Sequence, residues 1–390
     1  MKKLLALFLV FHLCLTCFSQ HDTTHLRISL LTCGPGEDLY SIWGHTGIRV
    51  VDTAQQVDTV FNYGTFDDSD PLFYIKFTRG IMLYSVTPET FGDFMMEYNY
   101  FKRSVTEQVL DLEAAEKIKL VNALWKNTAP ENRFYPYHFY ADNCTTRARD
   151  IIINNIDSVQ FSDIRPLPGA STYRQLIHQF MKNSDQAWNR FGIDVLLGTH
   201  LDEKITNKQA MFLPEYLLKG FANASRHGHA LVSQTNQLLP DEQPQNIHFF
   251  TPVFLFSVLL LIMFSLAISK NNTVNKIATA LDGLFFLLVG LLGMLMLTLW
   301  LARVDSVCRN NYNLLWALPT HAVMAFVLTC EKKWVKYYWL FTIILNILLL
   351  VSWRWLPQEM NNSVLLIIVI LLFRSIARYR NFNRNDRKNH

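Results

Sequence analysis

The chain is short of charge. Only 17% of its 390 residues are Asp, Glu, Lys or Arg, where a soluble domain carries about 25%, and this argues against an ordinary cytosolic enzyme. Positive charge is also missing where a nucleic-acid binder would need it. Residues 374–390 hold six basic residues and one acid, which more than accounts for the whole chain's net +4. The remainder therefore has no basic surface to offer, and no nucleic-acid partner is expected. Closely spaced cysteines are lacking as well. Of Cys14, Cys17, Cys33, Cys144, Cys308 and Cys330, only the first two have the spacing of a zinc ribbon or redox motif, and they sit in an apolar leader. A disulfide-stapled scaffold is not expected. Walker loops, dinucleotide fingerprints and HExxH sequences are absent from the sequence, so neither a metal nor a dissociable cofactor is implied. What the chain has in quantity is apolar surface: 50% hydrophobic residues, with 28 Phe, 9 Trp and 15 Tyr. Disorder over most of the length is excluded, and the composition is that of a half-soluble membrane protein.

The apolar residues are not evenly spread. Met1-Lys2-Lys3 precedes the apolar run Leu4–Thr16 and then Cys17-Phe18-Ser19-Gln20. A basic start, a short apolar core and a small terminal residue describe a secretory signal peptide over 1–19, with a lipoprotein leader cut before Cys17 as the rival. Residues 20–240 have soluble composition and are read as an exported domain. Within it, Leu26–Thr32, Gly47–Val51 and Asp58–Tyr63 read as strands, and Leu110–Trp125 and Thr145–Asn155 as helices. The polar stretch Gln234–His248 reads as a linker, its core at 241–248. Five apolar stretches follow within 249–377, roughly Phe249–Ile268, Leu281–Ala302, Leu314–Thr329, Tyr337–Trp353 and Val364–Ala377, before a basic tail at 378–390. Most are long enough to cross about 30 Å of hydrocarbon. With the exported domain outside, the inner segments carry Lys270, Lys276, Lys332, Lys333, Lys336 and the basic tail; the outer ones carry only Arg303, Arg309 and Arg354. That asymmetry fits an odd number of spans.

Two segments of the exported domain could carry chemistry. Ser41-Ile42-Trp43-Gly44-His45-Thr46-Gly47-Ile48-Arg49-Val50 sets a histidine before an apolar strand. In Tyr140-Ala141-Asp142-Asn143-Cys144-Thr145-Thr146, Asp142 or Asn143 is a good helix N-cap, which puts Cys144 in the first turn. The positive helix end and a nearby imidazole both favour a thiolate. Nucleophilic thiol catalysis needs such an arrangement. Each residue also has an ordinary reading: Cys144 as a buried thiol, His45 as a core histidine, or Cys144 in a disulfide with Cys33. His321 falls in the third apolar stretch beside Pro319, where a polar group is costly and often functional.

The pattern LLTCGPGEDLYSIWGHTGIRV … VFNYGTFD … FYADNCTTRARDI resembles the periplasmic domain of the Lnb family of Bacteroidota lipoprotein N-acyltransferases. It is also similar to the wider permuted NlpC-like, papain-related superfamily, in which the histidine strand precedes the cysteine helix. The resemblance implies an α+β, permuted NlpC-like cysteine-enzyme domain followed by an all-α, five-helix transmembrane domain in the bacterial inner membrane. It implies Cys144 as acyl-accepting nucleophile, His45 as general base, a phospholipid acyl donor and an apolipoprotein acceptor, without cofactor or metal. In that group a polar residue on the strand after the histidine orients the imidazole; Asn62 is the candidate here and Asp58 the runner-up. The same pair of residues could serve a periplasmic amidase or peptidase, and a membrane receptor or assembly factor would need neither.

Overall fold

The computed structural model describes residues 23–67, 69–181, 186–242, 249–269 and 271–386. The expected signal peptide, with Cys14 and Cys17, lies outside them, as does most of the expected linker. The chain divides into two compact units. One takes Met1–Asp68, Leu83–Pro168 and Asn207–Gln243; the other takes Ser69–Met82, Gly169–Thr206 and Pro244–His390.

The first unit is built on strands β1 (Leu26–Cys33), β2 (His45–Asp52), β3 (Val57–Thr65), β4 (Leu83–Thr90), β5 (Val105–Leu110), β6 (Phe134–Pro136), β7 (Val159–Phe161), β8 (Ala224–Arg226), β9 (His229–Ala230) and β10 (Val232–Leu239). Seven of them form an antiparallel sheet in the order β10-β5-β1-β2-β3-β4-β6, and β7-β8-β9 form a small second sheet. β1 lies between two neighbours and is covered on both faces, which is why its sequence is nearly continuous in apolar residues. Ile28 and Leu30 point into the larger core, where Leu120 and Leu124 of the Ala114–Thr128 helix and Ala148 and Ile152 of the Cys144–Ile153 helix meet them. Leu31 and Cys33, one residue out of phase, face the opposite side with Phe94 and Tyr98 of the Phe91–Tyr100 helix. The expected strands are present with slightly longer ends.

The helix expected from Leu110 starts instead at Ala114, because Glu113 and Glu116 form a capping box there. The polar run from Gln234, read as linker, is partly an edge strand: Gln234 pairs with Val109 and Thr235 with Gln108. Its outward positions are exposed, so its composition imitates a loop.

The second unit is a mostly helical body around Phe286, Trp316, Trp339 and Ile368. Its long helices are Pro252–Ile268, Asn272–Ala302, Lys333–Ser352 and Ser363–Asp386. By length and composition, Asn272–Ala302 and Lys333–Trp355 suffice to cross a membrane. The expected third span is not a continuous helix. Its place is taken by a 3-10 turn, Tyr312–Leu315, and a five-residue helix, Thr320–Met324. Pro319 lies between the two, and the broken backbone packs against two glycines of the neighbouring helix. A Cβ on Gly290 would lie 2.1 Å from the Ala322 nitrogen, and one on Gly293 would lie 2.0 Å from the Ala317 carbonyl oxygen. Non-helical backbone among apolar helices survives only when enclosed by protein, and Trp316 and Ala317 are fully buried.

Segments 69–82 and 169–206 belong to this unit, although the sequence counted them with the exported domain. A buried polar network holds the second of them. Arg174, fully buried, donates to Asp202 (2.9 Å), Asp194 (3.1 Å) and the Gly198 carbonyl (3.0 Å). His178 meets Asp194 at 2.7 Å. Asn313 donates to the Asp194 carbonyl at 2.9 Å and Asn361 to its carboxylate at 3.0 Å. Polar residues tens of positions apart satisfy one another, a pattern with no local periodicity to betray it. Arg174→Ala would leave the buried Asp194 and the half-buried Asp202 carboxylates without their guanidinium, and a loss of about 3–5 kcal/mol is expected. A clearly lower thermal midpoint in detergent is the measurable outcome, and an unchanged midpoint would contradict the role given to this network.

Candidate active site

The strand and helix that carry the two chemically notable segments meet in the first unit. Gly44 precedes β2 with φ +86°, and a Cβ there would sit 2.4 Å from the Cys33 carbonyl oxygen. The turn therefore needs glycine to bring His45 into position at the first residue of the strand. On the helix side, Asn143 is the N-cap. Its side chain accepts from the Thr146 amide at 2.8 Å, and Thr146 Oγ1 accepts from the Asn143 amide at 2.8 Å. Asn143 Nδ2 also donates to the carbonyls of Phe139 (2.9 Å) and Phe212 (3.0 Å), which ties the helix start to its surroundings. Cys144 is thus the first helical residue. Thr46 and Thr145 hydroxyls meet at 3.1 Å with both residues fully buried, pinning the strand to the helix.

His45 Nε2 lies 3.0 Å from Asn62 Oδ1, which leaves Nδ1 for the thiol. The electrostatics follow from that contact. Burial alone would raise the Cys144 thiol. The charge of His45 and its hydrogen bond, with further hydrogen bonds from the Thr145 hydroxyl and the Thr46 backbone, outweigh burial and hold it below the ordinary thiol range. For His45, burial alone would favour the neutral ring, but the charge of Cys144 and hydrogen bonds from Cys144 and Asn62 raise it above the ordinary imidazole. Both shifts favour a thiolate–imidazolium pair. Three phenols stand near the thiol. Burial first and then the charge of Cys144 push all of them up, Tyr84 to about 12. Tyr84 and Tyr137 stack with ring centroids 4.1 Å apart.

The structure brings His45, Asn62 and Cys144 together. The runner-up, Asp58, is instead engaged by Arg49 at 2.8 and 2.6 Å. His138 sits in a turn, its backbone bridged to Asp142. Cys33 and Cys144 are both free thiols, and burial raises the Cys33 thiol to about 12. Among the described residues, no group of three or more His, Cys, Asp or Glu side chains could hold a metal ion.

Glu89, which no sequence motif singles out, extends the row. Asn62 Nδ2 donates to Glu89 Oε1 across the β3–β4 pair. A carboxylate accepts and cannot donate, so this bond turns the amide oxygen of Asn62 toward His45. Burial, then the charge of nearby Glu97, raises the Glu89 carboxyl above its ordinary value. The only possible signal was its place on a strand two pairs from the histidine, and β4 itself was not foreseen. Gly64, with φ +95°, interrupts β3 in a bulge, and its missing Cβ faces Cys144 Cβ at 3.4 Å.

An α+β unit with a thiol, an imidazole, an amide and a carboxylate in one row is joined in a single chain to a helical unit that has two helices long and apolar enough to cross a membrane. Two family models match the chain: the Lnb N-terminal periplasmic domain over residues 16–179 and the Lnb transmembrane domain over residues 244–385. The chain belongs to the Lnb family and is an inner-membrane protein with a periplasmic domain. No curated protein and no solved structure matches it.

Proposed function

We propose that this protein is a multi-pass lipoprotein N-acyltransferase whose periplasmic domain has the permuted NlpC-like, papain-related fold. The observation that carries the reading is the row Cys144–His45–Asn62 in a chain of the Lnb family. In this reaction the Cys144 thiolate attacks an ester carbonyl of a phospholipid. The sulfur–carbon bond forms, the ester carbon–oxygen bond breaks, and the His45 imidazolium gives its proton to the departing alkoxide. The acyl group now resides on Cys144 as a thioester, and a lysophospholipid has left. The neutral α-amine of a diacylglyceryl-cysteine lipoprotein attacks that thioester, His45 accepts the amine proton, and expulsion of the thiolate restores the ion pair.

Backbone N–H groups in the first turn of a helix have no partner within it, so those of Cys144 and Thr145 suit a developing oxyanion. Phenols kept neutral around the thiol offer apolar walls that an acyl chain can lie against. Apolar helices in the same chain suit the task, since donor and acceptor both reside in the bilayer and confinement there raises their effective concentration. The test is direct. Purified protein in phospholipid vesicles, supplied with a diacylglyceryl lipopeptide bearing a free α-amine, should yield the N-acylated lipopeptide and a lysophospholipid in equal amounts. Release of a soluble peptide from cell-wall substrate, without N-acylation, would instead indicate an amidase.

Glu89 acts here as a positioning residue. Glu89→Gln can present an N–H to Asn62 and permits the amide to turn, which removes the acceptor from His45 Nε2. An activity loss of about tenfold or more is expected, together with a shift of the alkaline limb of the rate profile toward lower pH as the imidazolium loses a hydrogen bond. A loss of activity with an unmoved pH profile would mark Glu89 as structural only.

A further inference from the structure

The short helix Phe73–Arg79 has no buried residue. Leu72, Tyr74, Ile75 and Phe77 are all exposed, Tyr74 by 80%. A soluble surface rarely concentrates apolar side chains in this way. The segment is nonetheless firmly held. Arg303 Nη1 donates to the Phe77 carbonyl at 2.8 Å, the Val304 amide donates to the Arg79 carbonyl at 3.1 Å, and Asp305 accepts from Arg303 Nε at 2.9 Å. Gly80, in the left-handed region with φ +66°, ends the helix where Asp305 leaves no room for a Cβ.

These bonds tie the helix to Arg303 and Val304, the residues that follow Asn272–Ala302. Ala302 ends a long apolar helix and Arg303 begins the polar segment, so the clamp lies where hydrocarbon gives way to headgroups. Leu301 and Val304, on either side of Arg303, are themselves exposed. Exposed apolar side chains thus stand on both partners of the clamp, the short helix and the end of the long one.

We infer that Phe73–Arg79 is an interfacial helix that lays Leu72, Tyr74, Ile75 and Phe77 into the outer leaflet of the bilayer, its occupant being phospholipid acyl chains. Lys76 and Arg79 lie in the last turn of the helix and suit the phosphate level of a bilayer. The chain leaves β3 at Thr65 and re-enters β4 at Leu83. The bilayer contact thus belongs to the connection between the strands that carry Asn62 and Glu89. The inference rests on the proposed spanning of Asn272–Ala302 and not on the chemistry of Cys144.

The test is photo-cross-linking of the full chain in phospholipid nanodiscs, with p-benzoylphenylalanine placed in turn at Ile75, at Leu288 and at Gln55. Leu288 is exposed midway along the long helix, and Gln55 lies in the exposed β2–β3 turn. Mass spectrometry should find lipid adducts at Ile75 and Leu288 and their loss at Gln55. Adducts at Leu288 without any at Ile75, or Ile75 linked only to protein, would overturn the interfacial helix and leave the membrane span standing. Failure at Leu288 as well would overturn both.

Discussion

Cys144→Ala should abolish N-acyl transfer, with activity falling by about four orders of magnitude or to background. The expectation follows from where the residue sits. Its side chain is the one group in the row that can form and release a covalent acyl bond, and alanine offers nothing in its place. The fold should not suffer. Capping of the Cys144–Ile153 helix is done by Asn143 and Thr146, and alanine is well tolerated in a first helical turn. Cys144→Ser should do little better than alanine, because a hydroxyl in that position is far harder to ionise than a thiol already held below its ordinary range. The readout is mass spectrometry of lipoprotein N-termini from cells in which the variant replaces the natural chain. N-acylation at the natural level in Cys144→Ala cells would remove Cys144 from the mechanism.

The second large effect concerns the ion pair. A thiolate is present above the thiol's pKa and lost as pH falls through it. Because Cys144 is held low, its alkylation by iodoacetamide should persist to lower pH than for an ordinary cysteine. His45 is held high, so the imidazolium that supports the thiolate survives above the usual imidazole range and disappears as pH rises through its own pKa. Each shift favours the charged pair over the neutral one. In His45→Gln the charge is gone while burial remains, and burial alone drives the thiol upward. Alkylation of Cys144 at neutral pH should then drop by about tenfold or more, and acyl transfer by about 10²–10⁴-fold. Peptide-level detection separates Cys144 from Cys33 and Cys308, whose thiols burial holds up at about 12 and about 11. An alkylation profile identical to that of the unaltered protein would show that His45 does not activate the thiol.

Much of the periplasmic unit could be read from the chain because its signals are local. Apolar runs bounded by glycine marked β1, β2 and β3, and an N-cap followed by a helical pattern marked Cys144 as a first-turn residue. Asn62 became the candidate through the family resemblance, which asks for a polar residue on the strand after the histidine, and β3 does lie beside β2. What escaped the sequence depends on partners far along the chain. Glu89 matters through Asn62, on a strand whose Pro88 and exposed polar residues conceal it. Asp58, the runner-up to Asn62, is engaged by Arg49, a partner its local sequence does not reveal.

In the helical unit, hydropathy alone could not tell a spanning helix from the broken segment 312–329. Apolar composition is the same for both, and the difference lies in Gly290 and Gly293 making room for backbone. Segments 69–82 and 169–206 pack with the helical unit, and nothing in their sequence announces it, for the converse reason. Their composition is that of a soluble domain, while their attachments are made by single polar side chains such as Arg303 and Arg174.

The proposed reaction turns on a covalent intermediate. Purified protein incubated with phospholipid alone, quenched in acid and analysed as peptides, should carry one fatty acyl group on Cys144 that neutral hydroxylamine removes. Addition of a lipopeptide with a free α-amine should discharge that group onto the amine. A protein that N-acylates the lipopeptide in full while Cys144 never bears an acyl group, or bears one that the amine cannot discharge, would contradict it.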